Sequence, residues 1–207
     1  MTVLAVAPEV NLSDRIVDAT LRCIGRWGIA KTTVDDVARE AGVGRATLYR
    51  QFPGGRDALF EAVVTTETAR FFGRLDDLVA GVSTLEDFLV VAIVEAATTL
   101  TDHAPLRFLV AHEPEVVLPH LAFSKGDLVL GAVSALAGPY LEPWLGDPEV
   151  AARAAEWVTR ILLSYLMAPS ADVKVCDAAS VRHLVCTYIL PGLLTDSTHS
   201  TKGTPNV

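Results

Sequence analysis

Two short helical patterns separated by a glycine occupy residues 32–60, and they constrain the fold more than any other part of the chain. Thr33 precedes the stretch VDDVAREA, and Asp36 stands three residues later, as in a capping box. Gly42 is a helix stop. A second short helix follows, with apolar residues spaced to anchor it: Val43, Leu48 and Phe52. This arrangement predicts a helix-turn-helix, which presents its second helix to the major groove of DNA.

A longer helix is predicted ahead of this pair. Ser13 is the expected N-cap of DRIVDATLRCIGRWG, and Gly28 is expected to end the helix. One face carries the residues predicted to be buried: Ile16, Ala19, Thr20, Cys23, Ile24 and Trp27. With the two short helices this makes a three-helix domain over residues 13–60, preceded by a disordered tail at 1–12.

After the first three helices, the rest of the chain shows only helical patterns. They run from Arg56 to about Gly81, from Thr84 to Asp102, from Pro105 to about His112, from about Ser124 to Leu145, from Pro148 to Pro169, and from about Ala178 to Leu194. We expect Gly138-Pro139 to kink or split one of these helices, Pro191 to interrupt the last, and EPEVVLPHL to be irregular. The predicted class is therefore all-α, with a helical domain at 61–195 and a disordered tail at 196–207.

Composition limits the remaining possibilities. The chain has 207 residues, of which 51% are apolar and 20% charged, which favours a folded core over disorder. Its apolar runs stay short of the roughly 18 residues of a membrane span, and its first residues lack a basic leader. Three cysteines without CxxC spacing support neither a disulfide framework nor a zinc site. We therefore expect a cytoplasmic protein with no cofactor, no metal and no membrane partner.

The charge is distributed unevenly along the chain. The formal net charge is −8, yet residues 12–60 contain eight basic and six acidic residues, whereas residues 61–207 contain nine basic and eighteen acidic ones. The only basic excess thus surrounds the helix-turn-helix pattern. An acidic remainder would disfavour non-specific contact with DNA elsewhere on the molecule.

The run TTVDDVAREAGVGRATLYRQFPGGRDAL resembles the DNA-binding region of the TetR family of transcriptional regulators, over about residues 13–60. The resemblance implies an N-terminal helix-turn-helix domain followed by a helical ligand-binding and dimerisation domain. It also implies a dimeric repressor that binds a palindromic double-stranded DNA operator and is released by a small hydrophobic effector. Three positions depart from the family pattern: Gly44 replaces a capping Ser, Ala46 replaces a Gly, and Gly54-Gly55 adds a residue before Arg56.

The resemblance and the chemistry of DNA together nominate seven contact residues. Arg45 has a planar fork that matches the two acceptors of guanine, Thr47 offers a methyl group to thymine, and Ala46 leaves room near the bases. Arg50 would meet base or backbone. Phosphate contacts are expected from Thr33, Tyr49 and Arg56. The alternatives are a packing role for Tyr49, an ion pair of Arg56 with Asp57, and a solvated surface for the arginines.

A dimer would place two reading helices on two half-sites. Two apolar stripes on the last long helices are candidates for its interface: Val150, Ala151, Ala154, Val158, Ile161, Leu162 and Tyr165 on one, and Val181, Leu184, Val185 and Tyr188 on the other. The alternative is that both stripes belong to the core of a single chain.

An effector pocket is expected among aromatic side chains of the helical domain, because pockets of this kind are mostly apolar. The candidate residues are Phe88, Phe108, His112, Trp144 and Trp157. Ordinary core packing is the alternative for the aromatic ones.

An enzyme is not expected, because no nucleophile, base and orienting group are spaced to act together. The rival hypothesis is a small-molecule-binding or protein-interaction module whose DNA-binding region is vestigial.

Overall fold

The computed structural model describes residues 11–113, 115 and 126–193, and every regular element in these ranges is helical. The all-α prediction is therefore confirmed. The helices are α1 (Leu12–Lys31), α2 (Val34–Ala41), α3 (Arg45–Gln51), α4 (Gly55–Val79), α5 (Leu85–Asp102), α6 (Ala104–His112), α7 (Gly126–Leu145), α8 (Pro148–Met167) and α9 (Ala178–Leu184), which continues into a π-helical turn at Val185–Ile189.

The described residues form two compact units. We call residues 11–72 and 104–113 the head, and residues 73–103, 115 and 126–193 the body. The head is larger than the predicted 13–60 domain, because it also contains the first two thirds of α4 and the whole of α6. Helix α6 joins it by packing on α1, where a Cβ on Gly25 would lie 3.7 Å from the backbone nitrogen of Pro105.

Helix α1 begins earlier than the sequence indicates. Its N-cap is Asn11, whose side-chain oxygen accepts a hydrogen bond from the backbone N–H of Ser13 at 3.2 Å. The prediction of Ser13 as the cap is wrong, and so is the extension of a disordered tail to residue 12. The remaining tail predictions, for residues 1–10 and 196–207, lie outside the described residues, as does most of EPEVVLPHL.

The predicted apolar face of α1 forms the centre of the head. Ile16, Ala19, Thr20 and Cys23 are fully buried and Ile24 is nearly so, whereas Trp27 is 39% exposed, contrary to prediction. Gly28 interrupts α1 with φ 82° and ψ 172°, a backbone conformation that glycine adopts without strain. One further turn follows and ends at Lys31.

The helix-turn-helix forms through local interactions that the sequence predicts. Thr33 and Asp36 make both hydrogen bonds of a capping box at the start of α2, and Gly42 ends that helix in the left-handed conformation, at φ 64°. Leu48 is fully buried and Phe52 is 7% exposed, so both anchor α3 to the head core. The face of α3 opposite Leu48 is consequently turned to solvent.

The body has its own apolar core, built mainly from α5, α8 and α9. Both predicted interface stripes contribute to it: the buried residues are Val150, Ala151, Ala154 and Leu162 from α8, and Val181, Leu184 and Val185 from α9 and the π-turn. These side chains are therefore core residues of one chain, and their assignment to a dimer interface is wrong. Tyr188, by contrast, is 64% exposed.

Prolines divide the body helices less than expected. Helix α7 continues through Pro139 and Pro143 without a split, and Gly138 lets it approach α8 closely, since a Cβ there would lie 3.3 Å from the Cα of Ala152. Near Pro191 the interruption takes the form of the π-turn, in which the N–H of Leu190 bonds to the carbonyl of Val185.

No single helix within the described ranges is long and apolar enough to cross a membrane. Helices α5 and α6 satisfy the length and composition requirements only as a pair, across a break in the chain.

Candidate nucleic-acid interface

Helix α3 presents most of the predicted DNA-contact residues on one surface. Arg45, Ala46, Tyr49 and Arg50 are exposed and Thr47 is half-buried, while Leu48 points into the core. Leu48, the one large aliphatic residue of α3, thus lies on the buried side of the helix. We call the exposed set the reading face. Among the described residues Arg50 makes no ion pair, so its guanidinium is available to a ligand.

Arg45 is held by two neighbours on the reading face. Its guanidinium lies 3.0 Å from the Asp35 carboxylate of α2 and 5.5 Å from the centre of the Tyr49 ring. Its pKa is raised, first by hydrogen bonding to Tyr49 and then by attraction to Asp35. The side chain is still 63% exposed. Arg45 is therefore oriented before any ligand arrives, and sequence reasoning did not identify Asp35 as its partner.

Tyr49 is 38% exposed, which is compatible both with packing in the head and with a phosphate contact through its hydroxyl. Its ring packs against the start of α4, where a Cβ on Gly55 would lie 3.3 Å from the ring atom Cε1. Gly55 also has φ +63° and so needs the conformational freedom of glycine. The extra glycine before Arg56 thus makes room for the tyrosine ring.

Thr33 has a hydroxyl that is already engaged in capping. It accepts from the N–H of Asp36 at 3.2 Å and lies 2.5 Å from the Asp36 carboxylate, to which it donates. This bond is the main reason that the pKa of Asp36 is lowered. A phosphate contact by Thr33 would have to use the remaining acceptor capacity of the oxygen or displace the carboxylate.

Arg56 follows the first residue of α4, and the structure gives it two partners. Its guanidinium donates to the backbone carbonyl of Ile29 and lies 5.0 Å from the centre of the Phe60 ring. The ion pair with Asp57 that was the alternative for Arg56 is not formed among the described residues. Arg56 joins the start of α4 to the end of α1.

A carboxylate clamp joins α1 to α2. Glu40 lies 2.6 Å from Arg22 and 3.0 Å from Arg26, and these contacts, that with Arg22 first, lower its pKa. Sequence reasoning missed this clamp because Glu40 is 18 residues from Arg22 and 14 residues from Arg26 along the chain.

The five predicted pocket residues are divided between the two units. Phe88 is buried in the body core and stacks on Tyr140 at 6.3 Å, and Trp144 packs against the same core. Phe108 and His112 stack on each other in the head, with ring centres 4.3 Å apart. Trp157, which is 41% exposed, lines an open groove of about 430 Å³ on α8 together with Arg153, Arg160 and Gly192.

The described ranges contain no cluster of three or more His, Cys, Asp or Glu side chains that could hold a metal ion. Cys23 is buried, and burial is the main cause of its raised pKa, so it behaves as a core residue.

Comparison with known proteins gives a consistent result. Residues 16–63 match the family model described as bacterial regulatory proteins, tetR family. An HTH-type transcriptional regulator found in two strains of Mycobacterium tuberculosis is 31% identical over 182 residues, covering 86% of this chain and 84% of the relative.

Solved structures share the fold. The TetR family repressor AlkX from a Dietzia strain, implicated in biodegradation of n-alkanes, has a TM-score of 0.61 at 21% identity, covering 90% of this chain and 98% of that one. The regulator FadR from Bacillus subtilis, solved in complex with stearoyl-CoA, has a TM-score of 0.56 at 17% identity, covering 84% and 97%. The chain belongs to the TetR family of transcriptional regulators and is not an enzyme.

Proposed function

We propose that this regulator is a homodimeric repressor that binds a palindromic DNA operator through α3 and is released by a hydrophobic small molecule. The observation that carries the DNA-binding part is the reading face. An oriented arginine, a second exposed arginine, a small residue and a half-exposed tyrosine lie together on a helix whose opposite side is anchored in the core.

Base reading falls to the residues at the surface of α3. Arg45 would donate two hydrogen bonds to the O6 and N7 atoms of guanine, and Asp35 and Tyr49 would limit the conformations that it loses on binding. Ala46 and Thr47 would contact thymine methyl groups or leave space for them. Arg50 would meet a base or the adjacent backbone.

Phosphate contacts would set the register of the head on the duplex. The Tyr49 hydroxyl and the backbone around the capped start of α2, with Thr33, are the proposed contacts on either side of α3. Arg56 would join them by turning part of its guanidinium from the Ile29 carbonyl towards DNA.

Dimerisation is proposed because one small reading head binds weakly, whereas two linked heads gain effective concentration on a palindrome. The surface available for it is the exposed side of α8 and the segment after α9. Trp157 lies in an open groove there, and Tyr188 is the most exposed aromatic residue described in the body. Tyr188, a member of the second predicted stripe, and Trp157 are thus the candidate interface in place of the buried stripe residues.

A hydrophobic effector, of the class of long acyl chains, is proposed for the body. Its support is the apolar core around Phe88 and Trp144, together with the stearoyl-CoA bound by one similarly folded regulator and the link of another to n-alkanes. Trp157 also belongs to the body and remains a candidate contact, whereas Phe108 and His112 lie in the head and are not part of this proposal. Binding of the effector would favour a dimer geometry in which the two heads no longer match the half-sites.

One experiment tests the proposal as a whole. The full-length protein would select sites from a randomised double-stranded DNA pool at moderate salt, and the enriched site would then be titrated with and without long-chain acyl-CoA. We expect a palindromic site whose affinity falls when acyl-CoA is added. Enrichment of no sequence would favour the rival module with a vestigial DNA-binding region.

A further inference from the structure

Glu113 is the only buried acidic residue among the described residues, with 9% of its surface exposed. It directly follows α6 and belongs to the head. A carboxylate is seldom buried unless donors compensate for its lost hydration. Its surroundings therefore have to supply those donors, and none of the DNA-contact residues does so.

The donors are two backbone N–H groups at the break in α1. The Oε2 atom of Glu113 accepts from Ile29 at 2.9 Å and from Ala30 at 3.5 Å. These groups come directly after the non-helical residue Gly28, at the start of the last turn of α1, where backbone N–H groups commonly take a capping acceptor. Glu113 acts on this turn as an N-cap side chain does, although it comes from the residue that follows α6.

Gly28 makes room for that carboxylate. A Cβ at residue 28 would lie 2.1 Å from Oε1 of Glu113, and the backbone there has φ +82°. Two properties of glycine are thus used at once, its conformational freedom and the absence of a side chain. The break in α1 and the buried acid form one built feature.

The same turn leads to the proposed phosphate contacts. The N–H of Ile29 bonds to Glu113. The carbonyl of the same residue accepts from the guanidinium of Arg56, and from the N–H of Thr32 at 3.3 Å. The hydroxyl of Thr32 donates to the carbonyl of Gly28 at 2.6 Å, and Thr33 then begins α2. Glu113 is therefore one peptide group away from Arg56 and a few residues from the capping box.

We propose that Glu113 is a positioning residue for DNA binding. By holding the turn at residues 28–32, it sets the placement of Arg56 and of the start of α2 relative to α3. The inference rests on the proposed function, in which Thr33 and Arg56 contact phosphates. It assigns to the residue after α6 a direct effect on operator affinity, without any contact with DNA.

The sign of the charge effect makes the test sharp. Removing an acidic residue should by itself strengthen binding to a polyanion, or leave it unchanged. Exposed Glu115, two residues further on, is the matched control. We expect E115A to bind the selected DNA duplex at least as tightly as wild type, and E113A to bind it about tenfold more weakly, as expected when a charge-assisted hydrogen bond is lost.

The conservative variant supplies a second readout. E113Q keeps one oxygen that can accept from Ile29 and changes the charge as E113A does, so its affinity should recover towards wild type. Binding is measured by fluorescence anisotropy at a temperature where circular dichroism shows each variant fully folded. If E113A does not fold, the comparison of E113Q with E115A carries the test, with E113Q expected to bind more weakly than E115A.

A double-mutant cycle separates positioning from general support of the fold. Because Glu113 acts through the peptide that holds Arg56, E113A should lose less affinity in an R56A background than in wild type. Arg50, which does not touch this turn, provides the control cycle, and its effect should be additive with that of E113A.

Two results would overturn the inference: E113A binding as tightly as E115A, or additivity in the Arg56 cycle. Failure of the proposed function is recognisable separately, because Y49F and R45A would then also leave DNA affinity unchanged. If those two variants lose affinity while E113A does not, only the positioning role of Glu113 is rejected.

Discussion

Arg45 has two partners in the absence of DNA, and they bear on how it can read a base. The Asp35 carboxylate and the Tyr49 ring hold the guanidinium above the reading face. A held arginine loses less conformational freedom on binding than a solvated one. Asp35 already compensates part of the positive charge of Arg45, so Arg45 should add little to the general affinity for DNA. Its contribution should appear mainly as discrimination between bases.

The first prediction concerns this discrimination. Replacing Arg45 with alanine should weaken binding to the selected site by about tenfold and flatten the preference at one base pair of each half-site, because two hydrogen bonds to a base edge are lost. Binding to a panel of duplexes with single base changes measures it. Lys174→Ala, at an exposed cation of the body outside the Trp157 groove, is the charge-matched control and should keep the preference. Equal losses for R45A on selected and random DNA would contradict base reading.

Tyr49→Phe should behave differently from Arg45→Ala. It removes only the hydroxyl, so we expect a several-fold loss that is uniform across sequences, as for a phosphate contact. The ring stays in place against Gly55, and thermal stability should not change. Tyr140→Phe, which removes a hydroxyl that donates to Asp76 in the body, is the control and should leave DNA affinity unchanged. A sequence-dependent loss would contradict a phosphate contact and would show that the hydroxyl acts on base reading, directly or through Arg45.

Residue roles were predictable where the partners are close in the chain. Thr33 and Asp36 are three residues apart, and the structure contains their capping box as expected. The contacts of Glu40 with Arg22 and Arg26, and of Glu113 with Ile29, join residues between 14 and 84 positions apart. No local pattern specifies such pairs, because they depend on how whole helices pack.

At the scale of elements, the turn between α2 and α3 offers a matched pair of glycines. A Cβ would meet no atom within 4 Å at either Gly42 or Gly44, but only Gly42 has a positive φ. Gly42→Ala should therefore destabilise the protein by about 1 kcal/mol through backbone strain alone. Gly44→Ala, with φ −71°, should cost little. Thermal unfolding compares the two, and equal shifts would contradict this account.

Gly44→Ser should have the opposite effect to Gly42→Ala. Gly44 is the N-cap of α3 and makes no side-chain capping bond. A serine hydroxyl could accept one of the free N–H groups in the first turn, which would stabilise the protein by a few tenths of a kcal/mol. The measurement is again thermal unfolding, and a lower midpoint would show that the cap conformation does not suit serine.

Two carboxylates make the head sensitive to acid: Glu40, which joins α2 to α1, and Asp36, which belongs to the capping box of α2. The pKa values of Glu40 and Asp36 are lowered in the folded state, so their contribution to stability is present above the unfolded values, near 4, and is lost as the pH falls through the folded values. Glu40→Gln should lower the unfolding midpoint at pH 7 and reduce its dependence on pH below about 4. Glu115→Gln is the control, and identical pH profiles for the two variants would contradict the clamp.

Helix boundaries followed local chemistry closely but not everywhere. Thr84 and Asp147 cap α5 and α8 as their side chains predict. At Pro139 the helix is not split, and before Pro191 it contains a π-turn. Local sequence does not distinguish these two outcomes, since proline removes a backbone hydrogen bond in both places. The identity of a helix is thus local, whereas its continuity is decided by its neighbours.

At the scale of the whole molecule, the assignment of helices to units was the least predictable property. Residues 104–113 follow α5 directly in sequence, yet they pack on α1 and belong to the head. The buried stripes of α8 and α9 show the same difficulty, because an apolar face looks alike whether it meets its own chain or a second copy. The exposed fraction of a side chain in the folded chain distinguishes a core residue from a candidate interface residue. By this criterion Trp157 is a candidate for the dimer interface.

Trp157→Asp tests the proposed dimer. Because Trp157 is 41% exposed, a charge there should be tolerated by one chain but not within an apolar contact between two copies. We expect sedimentation velocity to show a dimer for wild type and a monomer for W157D, and affinity for the palindrome to fall because the heads are no longer linked. Trp27→Asp, at a tryptophan of the head that is 39% exposed, should stay dimeric. If W157D also remains a dimer, the two copies meet elsewhere, whereas a monomeric wild type would contradict the dimer itself.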